Sequence, residues 1–140
     1  MKAAYLSVIV TYVSHNRHNE RGATAADVFS ELQQTVSAMS GHDVLIVLGD
    51  FNSRLARGTN GQSGLAQSVI HSRDNNENGK LMRDFLGATG PIEASTRFQP
   101  RWRHTMATWI SQNPDYFPRQ IDHILISGRW VSAVKSCMVR

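Results

Sequence analysis

The chain has 140 residues, 41% of them hydrophobic and 19% charged, which is the composition of one soluble globular domain. No apolar run approaches the roughly 18–20 residues that span a bilayer, so no membrane partner is expected. The apolar stretch 1–13 is interrupted by Ser7 and Thr11, which favours a strand over a secretory signal. Cys137 is the only cysteine, so an internal disulfide is excluded and an intracellular location, cytoplasmic or nuclear, is expected.

The formal charge of +4 is distributed unevenly along the chain. Residues 1–96 carry eight Lys or Arg against nine Asp or Glu, a net charge of −1. Residues 97–140 carry seven against two, a net charge of +5. This asymmetry predicts an anionic partner for the last third of the chain, and a merely soluble basic surface is the alternative.

The first fifty residues predict a strand, a helix and a second strand. Residues 5–13 are typical of a strand, and Thr24 with Asp27 matches the capping box that begins a helix. The predicted apolar face of that helix consists of Val28, Leu32 and Val36, widened by Phe29 and Met39. The uninterrupted apolar run 44–48 then predicts a strand buried on both faces. This order indicates a βαβ-like unit.

The rest of the chain predicts a loop, a short helix and two further strands. Residues 54–76 are rich in Gly, Ser and Asn and predict a long surface loop. A short helix is expected to begin at Asn78-Gly79, and its inward-facing side chains are expected to be Leu81, Met82 and Phe85. Residues 92–98 predict a strand, and a turn rich in Asn, Pro and Asp leads into a strongly apolar final strand within 119–127.

The most informative local pattern is Gly49-Asp50-Phe51-Asn52, directly after the 44–48 strand. Asp50 and Asn52 are two residues apart, so in extended backbone their side chains point to the same side. A carboxylate beside a carboxamide at a strand end can bind a hard divalent cation and a phosphate oxygen. An ordinary turn, for which Gly, Asp and Asn are common residues, is the alternative.

Asp122 is the second informative residue, because it lies inside the apolar final strand. A carboxylate in that position is costly unless it is paired or hydrogen-bonded. It is therefore either a structural partner of Arg119 or the group that orients a catalytic imidazole.

Taken in chain order, these motifs resemble those of the endonuclease/exonuclease/phosphatase superfamily. The matching segments are Tyr12, 49–52, 76–79, Thr108-Trp109 and 119–127. They are most similar to endonuclease domains of LINE-type retrotransposons and to craniofacial development protein 2-like sequences. The resemblance covers nearly the whole chain. It implies a four-layered α/β sandwich, with two packed mixed sheets flanked by helices. It also implies hydrolysis of phosphodiesters or phosphomonoesters using Mg²⁺ or Mn²⁺.

The resemblance also implies a role for each site residue. Asp50 positions or deprotonates the attacking water, and Asn52 holds the scissile phosphate close to the metal, so these two belong to the implied metal site. Tyr12 hydrogen-bonds a phosphate oxygen, and His15 stands where many relatives have Asn. Asp122 corresponds to the carboxylate that orients the family's catalytic His. In such phosphoryl transfer the protein mainly positions groups and stabilises negative charge.

Several parts of the family pattern have no counterpart in the sequence. Relatives carry a metal-binding Glu on a strand before Tyr12, and a Ser-Asp-His segment follows their last strand. His123 is not a substitute for that His, because side chains alternate along a strand and it is expected to point away from Asp122. We therefore expect residues 1–140 to form a single partial domain with weak or no activity alone. Exposed sheet edges are expected to favour self-association.

A basic and aromatic segment supplies the predicted contacts with DNA. Arg97, Arg101, Trp102 and Arg103 interleave cations with an aromatic ring, which suits phosphate contacts combined with base stacking. Trp109, a candidate wall of the substrate cleft, and Arg119 complete the predicted nucleic-acid-binding set. The alternatives are a solvated loop, a non-catalytic nucleic-acid-binding remnant, and a phosphatase or phosphodiesterase of the same superfamily.

Overall fold

The computed structural model describes residues 4–15, 22–56, 72, 74–97 and 107–137. The elements are β1 (Leu6–Tyr12), α1 (Ala25–Ser37), β2 (Val44–Asp50), α2 (Glu77–Thr89), β3 (Pro91–Glu93) and β4 (Asp122–Ser127), with 3₁₀ turns at Ala94–Arg97 and Gly128–Ala133. The strands form one mixed sheet in the order β1-β2-β4-β3, in which β1 and β2 are parallel and the other pairs antiparallel. The predicted α/β class is confirmed. None of the helices described would reach across a membrane as an apolar span.

The β1–α1–β2 unit and the capping box that begins its helix form as predicted. The expectation that β2 is buried on both faces is wrong, because only alternate residues of the strand are fully buried. The Oγ1 atom of Thr24 accepts a hydrogen bond from the backbone N–H of Asp27 at 3.2 Å. The Oδ2 atom of Asp27 accepts one from the backbone N–H of Thr24 at 2.8 Å. Such a cap contributes about 1 kcal/mol to stability and fixes where the helix starts.

Both helices pack on one face of the sheet, and the core lies between them and the strands. The buried apolar side chains of this core are Val13, Phe29, Leu32, Leu45, Val47, Phe51, Leu55, Met82, Phe85, Leu86 and Leu125. The ring of Phe29 lies 6.1 Å, between centroids, from the rings of Phe51 and Phe85. In α2 the predicted inward residue Leu81 is only partly buried, while Leu86 is fully buried.

The opposite face of the sheet keeps a row of apolar side chains exposed. Val8 and Val10 on β1 are 52% and 74% exposed, and Ile124 on β4 is 45% exposed. The described residues supply one sheet with helices on one face. The second sheet, the four layers and the self-association therefore stay predictions.

The strand predicted at 92–98 is shorter than expected, because β3 ends at Glu93. The carboxylate of Glu93 accepts hydrogen bonds from the hydroxyl of Ser95 at 2.6 Å and from the backbone N–H of Thr96 at 2.8 Å. These bonds turn the chain into the 3₁₀ turn at Ala94–Arg97 and end the strand. Most of the loop predicted at 54–76 lies outside the described residues.

Candidate functional site

A tyrosine and two carboxylates lie side by side at one end of the sheet. Tyr12, the last residue of β1, is opposite Asp50, the last residue of β2. Asp50 is in turn opposite Asp122, the first residue of β4. Directly opposed residues of neighbouring strands point to the same face of a sheet. The sheet register thus brings together three of the residues singled out in the sequence, and we call Tyr12, Asp50 and Asp122 the strand-end row.

Of the two sequence-based interpretations of Asp122, the pairing with Arg119 does not occur. Among the described residues the ion pairs are Lys80–Glu77 and His123–Glu93. Asp122 is exposed, and the guanidinium carbon of Arg119 instead lies 5.9 Å from the centroid of the Trp109 ring. Within the part of the chain described, both carboxylates of the strand-end row therefore lack a counter-charge.

The chain leaves β2 in a tight turn, residues 50–53, which we call the Asp50 turn. Gly49 precedes it with φ +149°, and a Cβ there would collide with the carbonyl oxygen of Thr11, so only glycine fits. Asn52 adopts φ +46°, a left-handed conformation that Asn tolerates better than most residues. Its backbone N–H donates to Oδ1 of Asp50 at 2.8 Å, and its Nδ2 donates to the Val13 carbonyl at 2.9 Å. The backbone at Asn52 is thus not extended, although the expectation from its two-residue spacing to Asp50 required this, and its side chain is tied to the segment after β1.

The start of α2 holds the Asp50 turn from outside. Nδ2 of Asn76, the N-cap residue, donates to the Asn52 carbonyl at 2.7 Å. Its Oδ1 accepts from the backbone N–H groups of Arg54 and Gly79, at 2.7 and 2.9 Å. A Cβ at Gly79 would collide with the Arg54 carbonyl oxygen, so the helix start fits tightly against the turn.

Asn78 links the turn to the segment that follows β1. It is 7% exposed, and its Nδ2 donates to the carbonyls of Ser14 and Phe51, both at 3.1 Å. His15, the candidate at the end of this segment, is exposed. The sequence indicates a helix start at Asn78 but not the contact of its side chain with the turn. The available signal was a pair of Asn residues before a Gly, because Asn carries both a donor and an acceptor for neighbouring backbone.

His123 points away from the strand-end row, as the alternation along β4 predicts. It is 3% exposed, whereas Asp122 is exposed. Its Nε2 lies 2.9 Å from the Ser53 carbonyl oxygen, and its Nδ1 lies 3.4 Å from Oε1 of Glu93. This imidazole is therefore a buried group on the face of the sheet opposite to the row.

Residues 109–119, which we call the aromatic loop, start and end beside Asp122. The backbone N–H of Trp109 donates to the Arg119 carbonyl, and the N–H of Arg119 donates to the Trp109 carbonyl, both at 2.9 Å. The hydroxyl oxygen of Thr108 accepts from the N–H groups of Ile121 and Asp122, both at 3.0 Å. The base of the loop is thus anchored to the strand that carries Asp122.

The aromatic loop exposes several rings. The Arg119 guanidinium carbon is 5.9 Å from the ring centroids of both Trp109 and Tyr116. Trp109 is 38% exposed, Tyr116 52% and Phe117 85%. Tyr116 and Phe117 were not among the predicted site residues, although two aromatics within a Pro-rich turn were a usable signal. Of the other DNA-binding candidates, Arg97 is exposed, and Arg101, Trp102 and Arg103 lie outside the described residues.

A cavity of about 240 Å³ adjoins the row, and its lining includes Gly49, Thr108, Asp122 and Cys137. Burial raises the pKa of the Cys137 thiol, and the Glu93 carboxylate adds to that shift. In the described part of the chain no three His, Cys, Asp or Glu side chains cluster as metal ligands. The donors that remain are the two carboxylates of the row and the Asn52 amide oxygen. Such oxygen donors suit Mg²⁺, which usually takes one or two carboxylates and keeps several waters.

The chain is similar in sequence to a part of two known proteins. No family model matches the chain. It is 32% identical over 117 residues to craniofacial development protein 2 of Tragulus javanicus, and 29% identical over 116 residues to that of Bos taurus. Each alignment covers 80% of this chain but only 19% and 18% of those proteins, respectively. The chain therefore spans about a fifth of the length of the curated relatives it matches.

A solved structure has a similar fold over about half of its own length. The 3'-5' exonuclease NExo of Neisseria meningitidis superposes with a TM-score of 0.60 at 18% identity, covering 92% of this chain and 51% of that one. Together with the sequence relatives, this gives the chain an endonuclease/exonuclease/phosphatase-like fold.

Proposed function

We propose that this chain carries part of the site of a divalent-metal-dependent nuclease that hydrolyses phosphodiester bonds of DNA, of the retrotransposon endonuclease type. The observation that supports this most is the strand-end row. Two carboxylates directly opposite each other on neighbouring strands repel, and that repulsion destabilises the sheet. A bound dication would offset this repulsion, which favours a cation-binding role for the strand-end row. The similarity in fold to NExo, a 3'-5' exonuclease, favours the same chemistry.

In this proposal Asp50 and Oδ1 of Asn52 would hold Mg²⁺ or Mn²⁺. When bound, the cation supplies Lewis-acid stabilisation of charge on the phosphate. The residues of the chain do the rest. Asp50 orients the attacking water, an N–H of the Asn52 amide holds a phosphate oxygen, and the Tyr12 hydroxyl donates to another.

The proposed activity of the isolated chain is slow. Among the described residues no hydrogen bond or ion pair joins an imidazole to Asp122, and His123 is buried on the other face of the sheet. A positioned general acid or base typically contributes 10²–10⁴-fold, roughly, to such a rate. Asp122 is thus proposed as an orienting carboxylate whose imidazole partner is not among the described residues.

Charge and exposed rings support nucleic acid as the substrate. The last third of the chain has a net charge of +5, which favours a polyanion. The aromatic loop, whose base is anchored to the strand of Asp122, exposes Trp109, Tyr116 and Phe117, and exposed rings stack on unpaired bases. Arg119 and Arg97 would contact phosphates, as would Arg101 and Arg103. The place of action we propose is inside the cell, in the cytoplasm or the nucleus.

The test compares the wild-type chain with Asp50→Asn. Wild type is expected to bind Mn²⁺, measured by electron paramagnetic resonance, and to nick supercoiled plasmid DNA slowly in Mg²⁺. Asp50→Asn should weaken Mn²⁺ binding and lower the nicking rate by about 10²-fold or more, because it removes stabilisation of the reacting phosphate. The matched control is Asp84→Asn, because Asp84 is an exposed carboxylate on α2. This variant should change neither Mn²⁺ binding nor the nicking rate. Equal nicking in EDTA, or equal nicking by Asp50→Asn, would refute the proposal.

A second candidate is a non-catalytic nucleic-acid-binding protein, which the exposed aromatic loop favours. It predicts DNA binding that weakens steeply with salt and no metal-dependent cleavage at any incubation time. Release of phosphate from a phosphomonoester in place of plasmid nicking would instead select a phosphatase of the same fold.

A further inference from the structure

Three buried polar groups are connected behind the strand-end row. Glu93 on β3 and Ser53 on the Asp50 turn are fully buried, and His123 on β4 is 3% exposed between them. His123 is the neighbour of Asp122 in sequence, and Ser53 is the neighbour of Asn52. A single imidazole therefore joins the strand that carries Asp122 to the turn that carries Asp50 and Asn52.

The neighbours of the ring fix its orientation. The Ser53 carbonyl can only accept a hydrogen bond, so the Nε2 atom of His123, 2.9 Å away, carries a hydrogen and donates it. On the other side Nδ1 lies 3.4 Å from Oε1 of Glu93. The ring also packs with its edge against Phe51, at a centroid distance of 6.0 Å and an interplanar angle of 70°. The imidazole is thus held on three sides.

Glu93 is itself held in place. Its carboxylate accepts from the Ser95 hydroxyl at 2.6 and 2.7 Å and from the Thr96 N–H at 2.8 Å. Nε2 of Gln120 donates to the Ser95 hydroxyl oxygen at 2.7 Å and lies 3.4 Å from Oε1 of Glu93. A buried carboxylate with this many donors is a rigid support for the imidazole.

The Ser53 carbonyl directly follows a residue whose backbone lies in the left-handed region. Asn52 has φ +46°, and such backbone conformations persist only where surrounding contacts hold them. Asn76 holds the turn from α2, and the Asp50 carboxylate holds it from within. His123 provides the contact from β4, the strand of Asp122.

We propose that His123, supported by Glu93, is a positioning residue that fixes Asn52 relative to Asp122 through the Ser53 carbonyl. It touches neither metal nor phosphate. Its catalytic consequence rests on the function proposed above, whereas its effect on the turn does not.

The test is amide hydrogen exchange measured by NMR in two His123 variants. His123→Leu fills the buried site with an apolar side chain and removes the hydrogen-bond donor. His123→Gln replaces the imidazole N–H by an amide N–H that can reach the Ser53 carbonyl. We expect His123→Leu to speed exchange of the Asn52 N–H about tenfold while the amides of Val47 and Leu48 change less than about twofold, which is local opening of the turn. His123→Gln should restore much of the protection. Leu32→Ala, a core change on α1, is the matched control and should affect strand and turn amides alike.

A uniform rise in exchange across β2 and the turn in His123→Leu would overturn the proposal, because it would show a general loss of stability. Unchanged exchange at Asn52 would overturn it as well. If His123→Leu does not fold, the wild-type protein still gives a test. A through-hydrogen-bond NMR coupling between Nε2 of His123 and the Ser53 carbonyl carbon is expected, and an unprotonated Nε2 would refute the proposal.

A second readout separates this proposal from the proposed function. If wild type nicks DNA, His123→Leu should lower kcat about tenfold with KM unchanged, and His123→Gln should recover most of it. A raised KM with unchanged kcat would overturn the positioning role. If wild type neither binds Mn²⁺ nor cleaves DNA, while Asn52 exchange responds as expected, the proposed function fails and the positioning role of His123 stands.

Discussion

Two regions meet at the same end of the sheet and are built in opposite ways. The Asp50 turn is tied by side chains from α2 and β4, through Asn76, Asn78 and His123. The aromatic loop is closed at its base by the backbone pair between Trp109 and Arg119, the described hydrogen bonds beyond this base join residues within the loop, and most of its side chains are exposed. The comparison teaches that groups needing fixed geometry are enclosed by hydrogen bonds, whereas groups suited to contacting a partner are left accessible. Substitutions at the Asp50 turn should therefore lower the free energy of unfolding, whereas substitutions in the aromatic loop should weaken binding of a partner.

The largest expected effect is loss of stability in Gly79→Ala, where α2 meets the Asp50 turn. The added methyl group would collide with the Arg54 carbonyl oxygen, so the helix start or the turn must shift. Such overpacking costs about 1–3 kcal/mol of the free energy of unfolding. Urea denaturation measures it as a lower midpoint.

The same helix offers a matched control. Gly87 has open space where a Cβ would lie, so Gly87→Ala should raise the free energy of unfolding by about 0.5–1 kcal/mol through helix propensity. Two Gly→Ala changes in α2 are thus expected to have opposite signs. Equal effects would mean that the turn yields easily, and the contrast between the two regions would be lost.

An intermediate effect, on binding alone, is expected from Trp109→Ala in the aromatic loop. Loss of one stacking ring should weaken binding of single-stranded DNA by about 1–3 kcal/mol, roughly five- to 150-fold. Fluorescence anisotropy at fixed salt measures the affinity. Ile110→Ala is the control, because Ile110 is 70% exposed but has no aromatic face. An equal loss of affinity in both variants, or a lower unfolding midpoint for Trp109→Ala, would contradict the assignment of the loop to partner contact.

The smallest expected effect concerns Cys137, in the cavity beside Asp122. Its pKa is raised by burial and by Glu93, so the thiolate forms at higher pH in the folded protein than in the unfolded chain. Alkylation by iodoacetamide, followed by mass spectrometry between pH 7 and 10, roughly the range in which thiols titrate, should therefore begin at higher pH in buffer than in urea. The stability from this group is fully present below the unfolded pKa and is lost as pH rises through the folded pKa. Identical onsets in both solutions would show that the cavity is open to water.

Local pattern was enough to predict much of the fold. The capping box at Thr24, the apolar run of β2 and the alternation along β4 each depend on neighbours in sequence, so α1, β2 and the inward direction of His123 followed directly. The end of β3 did not follow. It depends on the Glu93 carboxylate bonding forward to Ser95 and Thr96 in place of a strand partner, and propensity does not include that competition.

The candidate site was predictable only in part, for a similar reason. Asp50, Asn52 and Asp122 stand out because polar residues interrupt apolar strands. Asn76 and Asn78 act through contacts with residues more than 20 positions away, and a helix-start pattern carries no information about such partners. The pairing of Arg119 with rings in place of Asp122 likewise depends on how the aromatic loop folds back.

The antiparallel register of β2 and β4 makes the site and the core inseparable. Shifting β4 by one residue would turn every side chain on it to the other face. Asp122 would then enter the apolar interior, and Leu125 would face water. Mutations that weaken packing in the core are thus expected to displace the polar groups at the strand ends before the chain unfolds completely. A register shift of β4 would lower the stability of the core and would also take Asp122 away from Asp50.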